Sequence, residues 1–95
     1  MATDERETSI PLPALALATV PGRRVRTLAL AGEIERRGFA GIYCASFGDG
    51  MGLCQSLAHV TERIPFGTAI ANLYTRHVMD YAGTAAMIHE ISGGR

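Results

Sequence analysis

This sequence predicts an α/β fold on a parallel sheet, and three observations carry that prediction. Short apolar runs at residues 10–20, 39–45 and 64–71 lack a helical period and read as buried strands. Each is followed by a stretch whose apolar residues recur every three or four positions, as on one face of a helix. Polar groups then gather where the third run ends, at Asn72, Tyr74, Thr75, Arg76 and His77. In parallel α/β folds the carboxyl ends of the strands are where ligands bind. The order strand, helix, strand, helix, strand, helix favours right-handed crossovers between parallel neighbours.

Taken along the chain, residues 1–9 form an acidic, polar tail expected to be disordered, and residues 10–95 form the folded part. Pro11 and Pro13 sit at the start of the first strand, where a missing N–H is tolerated. Pro21-Gly22 turns the chain into a helix over 23–37, in which Val25, Leu28 and Ala29 share a face. Glu33 is placed to pair with Arg37 at i+4, and Gly38 supplies the stop. A loop rich in glycine at 46–52 leads to a second helix over 51–63. It carries Leu53, Leu57 and Val60 on one face, with Cys54, Ala58 and Thr61 beside them. The strand at 64–71 is almost wholly apolar, which predicts cover on both faces. In the third helix Val78, Tyr81, Ala82, Ala85, Ile88 and His89 recur at helical spacing, Asp80 suits the first turn, and Gly93-Gly94 ends it.

Composition excludes several classes. Nine acids balance nine bases, every base an arginine, so no electrostatic case for nucleic acid exists. The clusters Arg23, Arg24, Arg26 and Arg36, Arg37 read as solvated helix faces. The longest apolar run, 12–20, is broken by Pro13 and is too short to span a bilayer. No basic head of a signal peptide precedes it, so the expectation is a cytoplasmic protein without membrane partners. Cys44 and Cys54 lie outside any CxxC and are expected to stay reduced and buried.

Several motifs fail on spacing. Gly48-Asp49-Gly50-Met51-Gly52 would need a further glycine at Leu53 to make a dinucleotide fingerprint. It reads instead as a flexible loop before a helix N-terminus able to meet an anion. His89-Glu90 would need histidine at Gly93 to make a zincin pair, and His59, His77 and His89 show no ligand spacing, so no metal is expected. Ser46 and Ser92 lack the setting of a hydrolase nucleophile. The bland account of residues 72–77 is a polar loop capping the third helix through Thr75. The functional account makes Arg76 a donor to an anionic or carbonyl group of a ligand.

The run Arg63-Ile64-Pro65-Phe66-Gly67-Thr68-Ala69-Ile70-Ala71-Asn72, followed by Arg76-His77 and by Glu90-Ile91-Ser92-Gly93-Gly94-Arg95, resembles the luciferase-like monooxygenases. It is most similar to their deazaflavin-dependent oxidoreductase branch. Upstream, the stretch from Ala31 to Tyr43 resembles the family's first helix and second strand. The resemblance implies the first three βα units of a TIM (β/α)8 barrel, an incomplete piece of a domain that needs about 250 residues. It also implies a bulge at the end of the third strand, often with a non-proline cis peptide, that supports one face of a cofactor ring. The matching bond is Ala69-Ile70. Thr68, Ala69, Ile70, Ala71, Asn72 and Arg76 are the implied cofactor-side residues, and the small side chains of Ala69 and Ala71 suit close approach of a planar ring.

The cofactor so implied is deazaflavin (coenzyme F-420), with FMN as the alternative, serving hydride transfer or oxygen insertion on a small organic substrate. The full-length parent is expected to be a homo-oligomer. Many members carry Asp-His after the second strand, whereas Ser46 and Phe47 stand here. Those two remain substrate-side candidates, but the histidine's role does not transfer. Leu73 and Val78 replace frequent prolines. No acid–base residue is identified, and the chain by itself is expected to bind cofactor poorly and not to turn over. The competing expectations are a non-catalytic interaction or oligomerisation module and a truncated gene product.

Overall fold

A computed structural model describes residues 11–45, 48–71 and 76–95 of the 95-residue chain. Three strands alternate with three helices: β1 (Leu15–Leu17), α1 (Arg24–Arg36), β2 (Ile42–Cys44), α2 (Gly50–Val60), β3 (Phe66–Thr68) and α3 (Val78–Ile91). The sheet order is β1-β2-β3 and both pairings are parallel. The α/β expectation and the element order are borne out. The strands are shorter than their apolar runs: each keeps three residues of regular ladder, with single backbone bonds to a neighbour on either side, such as Ala40 N to Pro13 O and Ala69 N to Cys44 O.

Register decides which side chains meet the helices. Leu15, Ile42 and Phe66 are aligned, as are Leu17, Cys44 and Thr68. Because side chains alternate across a strand, these two rows share one face. Ile42 and Cys44 on that face are buried, while Leu15, Leu17 and Phe66 pack against the same cluster. Ala16, Tyr43 and Gly67 form the row between them and lie on the opposite face. Tyr43 there is 52% exposed, and a Cβ added to Gly67 would meet nothing within 4 Å. Cover on both faces, expected from the apolar third run, is therefore corrected: the helices cover one face, and no described element lies over the other.

α2 sits at the centre of the covered side and touches α1, α3, β2 and β3. Leu53 and Leu57 on its inner stripe are fully buried, each stabilising the fold by about 1.5–3 kcal/mol. Val60, expected on that stripe, is 43% exposed, because the buried stripe runs through Leu53, Cys54, Leu57, Ala58 and Thr61 and leaves Val60 at its edge. In α1 the buried residues are Ala31 and Ile34, with Leu28 partly covered, whereas Val25 stands 82% exposed one turn beyond the packed region. The expected Glu33 to Arg37 pair forms at 2.7 Å, and Arg36 joins the same carboxylate at 2.7 Å. These contacts hold the Glu33 carboxyl below its usual range, on an exposed face where such pairs add little stability. Only Ile88 of α3 is buried, so the strongly patterned third helix leaves Val78, Met79 and Met87 in solvent.

The connection from α2 to β3 is fastened from both sides. The Glu35 carboxylate accepts the backbone N–H groups of Glu62, Arg63 and Ile64 at 2.6–3.1 Å. Burial raises the cost of ionising Glu35, but those three bonds and the charge of Arg63 outweigh it and hold its carboxyl below the ordinary value. Opposite, the Arg95 guanidinium donates to Ala58 O at 3.1 Å and Thr61 Oγ1 at 2.9 Å, at the carboxyl end of α2 where a cation is favoured. Its guanidinium carbon lies 5.6 Å from the centre of the Phe66 ring, and Arg95 O accepts from Phe66 N. Thus α1 and the exit of α3 together fix where β3 starts.

Two stability predictions follow from this packing. Glu35→Ala leaves three N–H donors without their carboxylate and should cost about 2–3 kcal/mol in urea unfolding. Glu35's stabilising effect is fully present above its unfolded pKa near ~4.3 and declines as pH falls through the lower folded value. Glu35→Gln should flatten that acid limb. Superimposable acid unfolding curves for wild type and Glu35→Gln would remove the carboxylate from this role. Asp49 caps α2, its Oδ1 accepting from Gly52 N at 2.9 Å, so Asp49→Ala should lower stability by about 1 kcal/mol and Asp49→Ser by much less. Equal melting temperatures for all three proteins would contradict the cap.

Candidate functional site

The parallel strands bring their carboxyl ends to one rim of the sheet. Pairing continues one residue past β2 and β3, with Ala45 N donating to Leu17 O at 2.8 Å and Ala69 N to Cys44 O at 3.0 Å. The residue after every strand is alanine: Ala18, Ala45 and Ala69. Neighbouring strands lie about 4.8 Å apart, so these three positions span roughly 10 Å, comparable with the long dimension of a three-ring aromatic system. On the uncovered face two positions back stand Ala16, Tyr43 and Gly67. Neither row contains a carboxylate or an imidazole. The rim is a flat, small-residue surface with one phenol on it.

Beyond Ala69 the chain leaves the sheet through a cis peptide bond to Ile70, the bond singled out by the family resemblance. Ala69 is exposed, Ala71 half-buried, and Ile70 has 77% of its surface in solvent. Its aliphatic side chain thus stands in solvent beside the rim. Thr68 is placed differently. Its register with Cys44 turns it towards the helices, where it lines the groove between α2 and α3. Of the implied set, the structure brings together Ala69, Ile70 and Ala71, while Thr68 joins them through backbone only. Asn72, Ser46 and Phe47 lie outside the described residues.

Arg76 follows at the start of α3. Its guanidinium donates to Thr84 Oγ1 at 3.2 Å and lies 5.2 Å from the centre of the Tyr81 ring. Both contacts orient the cation and use one of the five N–H donors that guanidinium carries. The bland expectation that Thr75 caps α3 is corrected: the cap is His77, whose Nδ1 accepts from Met79 N at 3.0 Å. That bond commits His77 Nδ1 to the backbone. Asp80 lies in the first turn as expected.

The glycine loop before α2 opens on the same rim. Gly48 has φ of +72°, and a Cβ there would collide with the hydroxyl and carbonyl of Thr19, so this approach requires glycine. Asp49 N donates to Thr19 Oγ1 at 3.0 Å, tying the loop to the exit of β1. The expected anion site at this helix N-terminus is corrected, because the Asp49 carboxylate already accepts from Gly52 N. Sequence reasoning overlooked Tyr43 and the alanines at 18 and 45. Their signal was present in the repeated apolar run ending in alanine, and it became legible once register placed the three exits side by side.

Among the described residues no helix is long and apolar enough to cross a membrane, and no group of three or more His, Cys, Asp or Glu is gathered to hold a metal ion. A search of curated proteins finds no match to the chain. The sequence matches the family model described as luciferase-like monooxygenase over residues 11–95. That family supports a monooxygenase or oxidoreductase kind of function, and its members commonly use flavin-type cofactors. Residues 11–95 take in all three βα units and the alanine rim between them, and the chain belongs to the luciferase-like monooxygenase family.

Proposed function

We propose that this chain backs one face of a flavin-type ring, deazaflavin or FMN, in an oxidoreductase acting on a small organic substrate. The observation that carries this reading is the alanine rim: Ala18, Ala45 and Ala69 at adjacent parallel strand exits, bordered by exposed Ile70. The residues present fit such a group. A planar ring gains dispersion and desolvation over a flat apolar floor, and no branched side chain projects from the three alanine positions. Gly67, with open space where a Cβ would point, leaves room beneath.

When bound, the cofactor would supply hydride transfer or oxygen insertion. The chain's own residues bind and orient. Ala69, Ile70 and Ala71 form the backing surface, with Asn72 assigned to its polar edge by the family resemblance. Arg76, held by Thr84 and Tyr81, offers its remaining donors to an anionic portion of the cofactor. Tyr43 projects from the uncovered face and borders the floor. Ser46 and Phe47 remain the substrate-side candidates. Because these elements contact a single face of a ring, affinity from the chain alone is expected to be weak and turnover absent.

Quenching of ring fluorescence during titration with coenzyme F-420 and FMN tests the reading. Weak, saturable quenching is expected, abolished by Ala69→Glu, which would place a charge on the floor. Arg76→Ala should weaken binding about tenfold, the loss of one charge-assisted hydrogen bond of ~1.4 kcal/mol. Equal quenching by wild type and Ala69→Glu would overturn the assignment.

A second reading, an association module, is favoured by the exposed apolar residues Val78, Met79 and Met87 on α3. Stable oligomers in size-exclusion chromatography, with no response to either cofactor, would favour it over the first.

A further inference from the structure

We propose that the cleft between α1 and α2 is a binding site for an aliphatic α-amino acid, with the ligand's carboxylate on Arg24 and its ammonium on Asp49. The cleft has a volume of about 340 Å³, within the range of small-molecule sites. Arg24 lines it from α1, while Asp49 and Ser56 line it from α2 and its cap. Leu28 and Leu53 add an apolar wall from each helix. None of these residues belongs to the alanine rim, so this inference stands apart from the cofactor reading.

The charged groups of the cleft have valence to spare. Among the described residues the Arg24 guanidinium makes no hydrogen bond or ion pair, with Asp49 or with any other carboxylate, so its donors remain for a ligand. Local helix chemistry does not account for this arginine. It lies in the first turn of α1, where the macrodipole disfavours a cation, and that turn has neither an acid nor a side-chain cap. Asp49 commits one oxygen to the α2 cap, Oδ1 accepting from Gly52 N, while Oδ2 accepts nothing among the described residues. Gly52 keeps Oδ2 clear, because a Cβ there would stand 2.5 Å from it. Ser56 Oγ donates to Gly52 O at 3.0 Å, which leaves its lone pairs to accept.

Donors therefore line the cleft from α1 and acceptors line it from α2. A simple anion would meet the Asp49 carboxylate as well as Arg24, and a simple amine would meet Arg24 as well as Asp49. A molecule carrying both charges satisfies both walls. Its carboxylate takes charge-assisted bonds from Arg24, and its ammonium donates to Asp49 Oδ2 and Ser56 Oγ. Leu28 is partly buried and Leu53 almost wholly so, and an aliphatic side chain lying against them would remove further apolar surface from water. Charge at both ends and an apolar body between the helices together define the ligand class.

Backbone amide NMR signals of the isotope-labelled full chain, followed during titration with L-leucine, test this. Saturable shifts at millimolar ligand are expected for Leu28, Gly52, Leu53 and Ser56. Isocaproic acid, which is leucine without its amino group, and isoamylamine, which is leucine without its carboxylate, should each bind about tenfold more weakly. Arg24→Gln keeps a good helix former and should weaken leucine binding by a similar factor. Asp49→Asn keeps a capping oxygen for Gly52 N but loses the charge, so its ligand-free spectrum should match wild type while leucine binding falls about tenfold. Absence of saturable shifts with leucine, equal affinity for isocaproic acid, or unchanged leucine binding in either variant would each overturn the proposal. The two leucine analogues are compared on the wild-type chain, so they decide the question even where a variant fails to fold.

Discussion

The structure depends on the fastening of the α2–β3 connection by Glu35. One carboxylate gathers three consecutive backbone N–H groups of residues 62–64, donors that no strand or helix would otherwise satisfy. Charge-assisted bonds of this type are about twice as strong as neutral ones. Arg95 completes the arrangement by donating to the carbonyl end of α2, so an anion from α1 and a cation beyond α3 hold the same turn. The start of β3 is set by this pair of contacts, and the strand's exit carries Ala69 and Ile70. A surface at one end of a strand is thereby positioned by charges at the other.

That coupling explains why the rim itself can be chemically bland. Scaffold contacts elsewhere supply the order, so the strand exits can be alanine, with no side chain needed to brace them. Gly48 packed against Thr19 and the Asp49 cap on α2 extend the same logic to the loop after β2. In the proposed reading the rim needs flatness and open backbone, and Arg76 would supply its polar part. Contacts to Tyr81 and Thr84 orient that guanidinium.

Much of this was legible in residue order. Apolar period distinguished strand from helix, Gly38 and Gly93 marked helix ends with positive φ, and Glu33 met Arg37 at the expected spacing. The resemblance pointed to Ala69-Ile70, and that bond is cis. The errors share one cause. Val25, Val60 and Val78 continue apolar patterns yet stand in solvent, because period records which face a residue occupies and is silent on where the neighbouring element ends. Thr68 was implied as a cofactor-side residue by the resemblance, whereas its register with Cys44 places its side chain on the helix-covered face.

Local chemistry in the sequence thus determined the elements, their order and the family, because period, glycine stops and i+4 pairs act over a few residues. Tertiary structure alone decided the rest. Register aligned three distant alanines into one floor, and packing gathered Cys44 and Cys54 into one buried cluster. Folding also carried Glu35 and Arg95 to a turn 27 and 34 residues away. The strand exit at Ala69-Ile70-Ala71 became a surface only when β1 and β2 placed Ala18 and Ala45 beside it, a contact that no local interaction could specify.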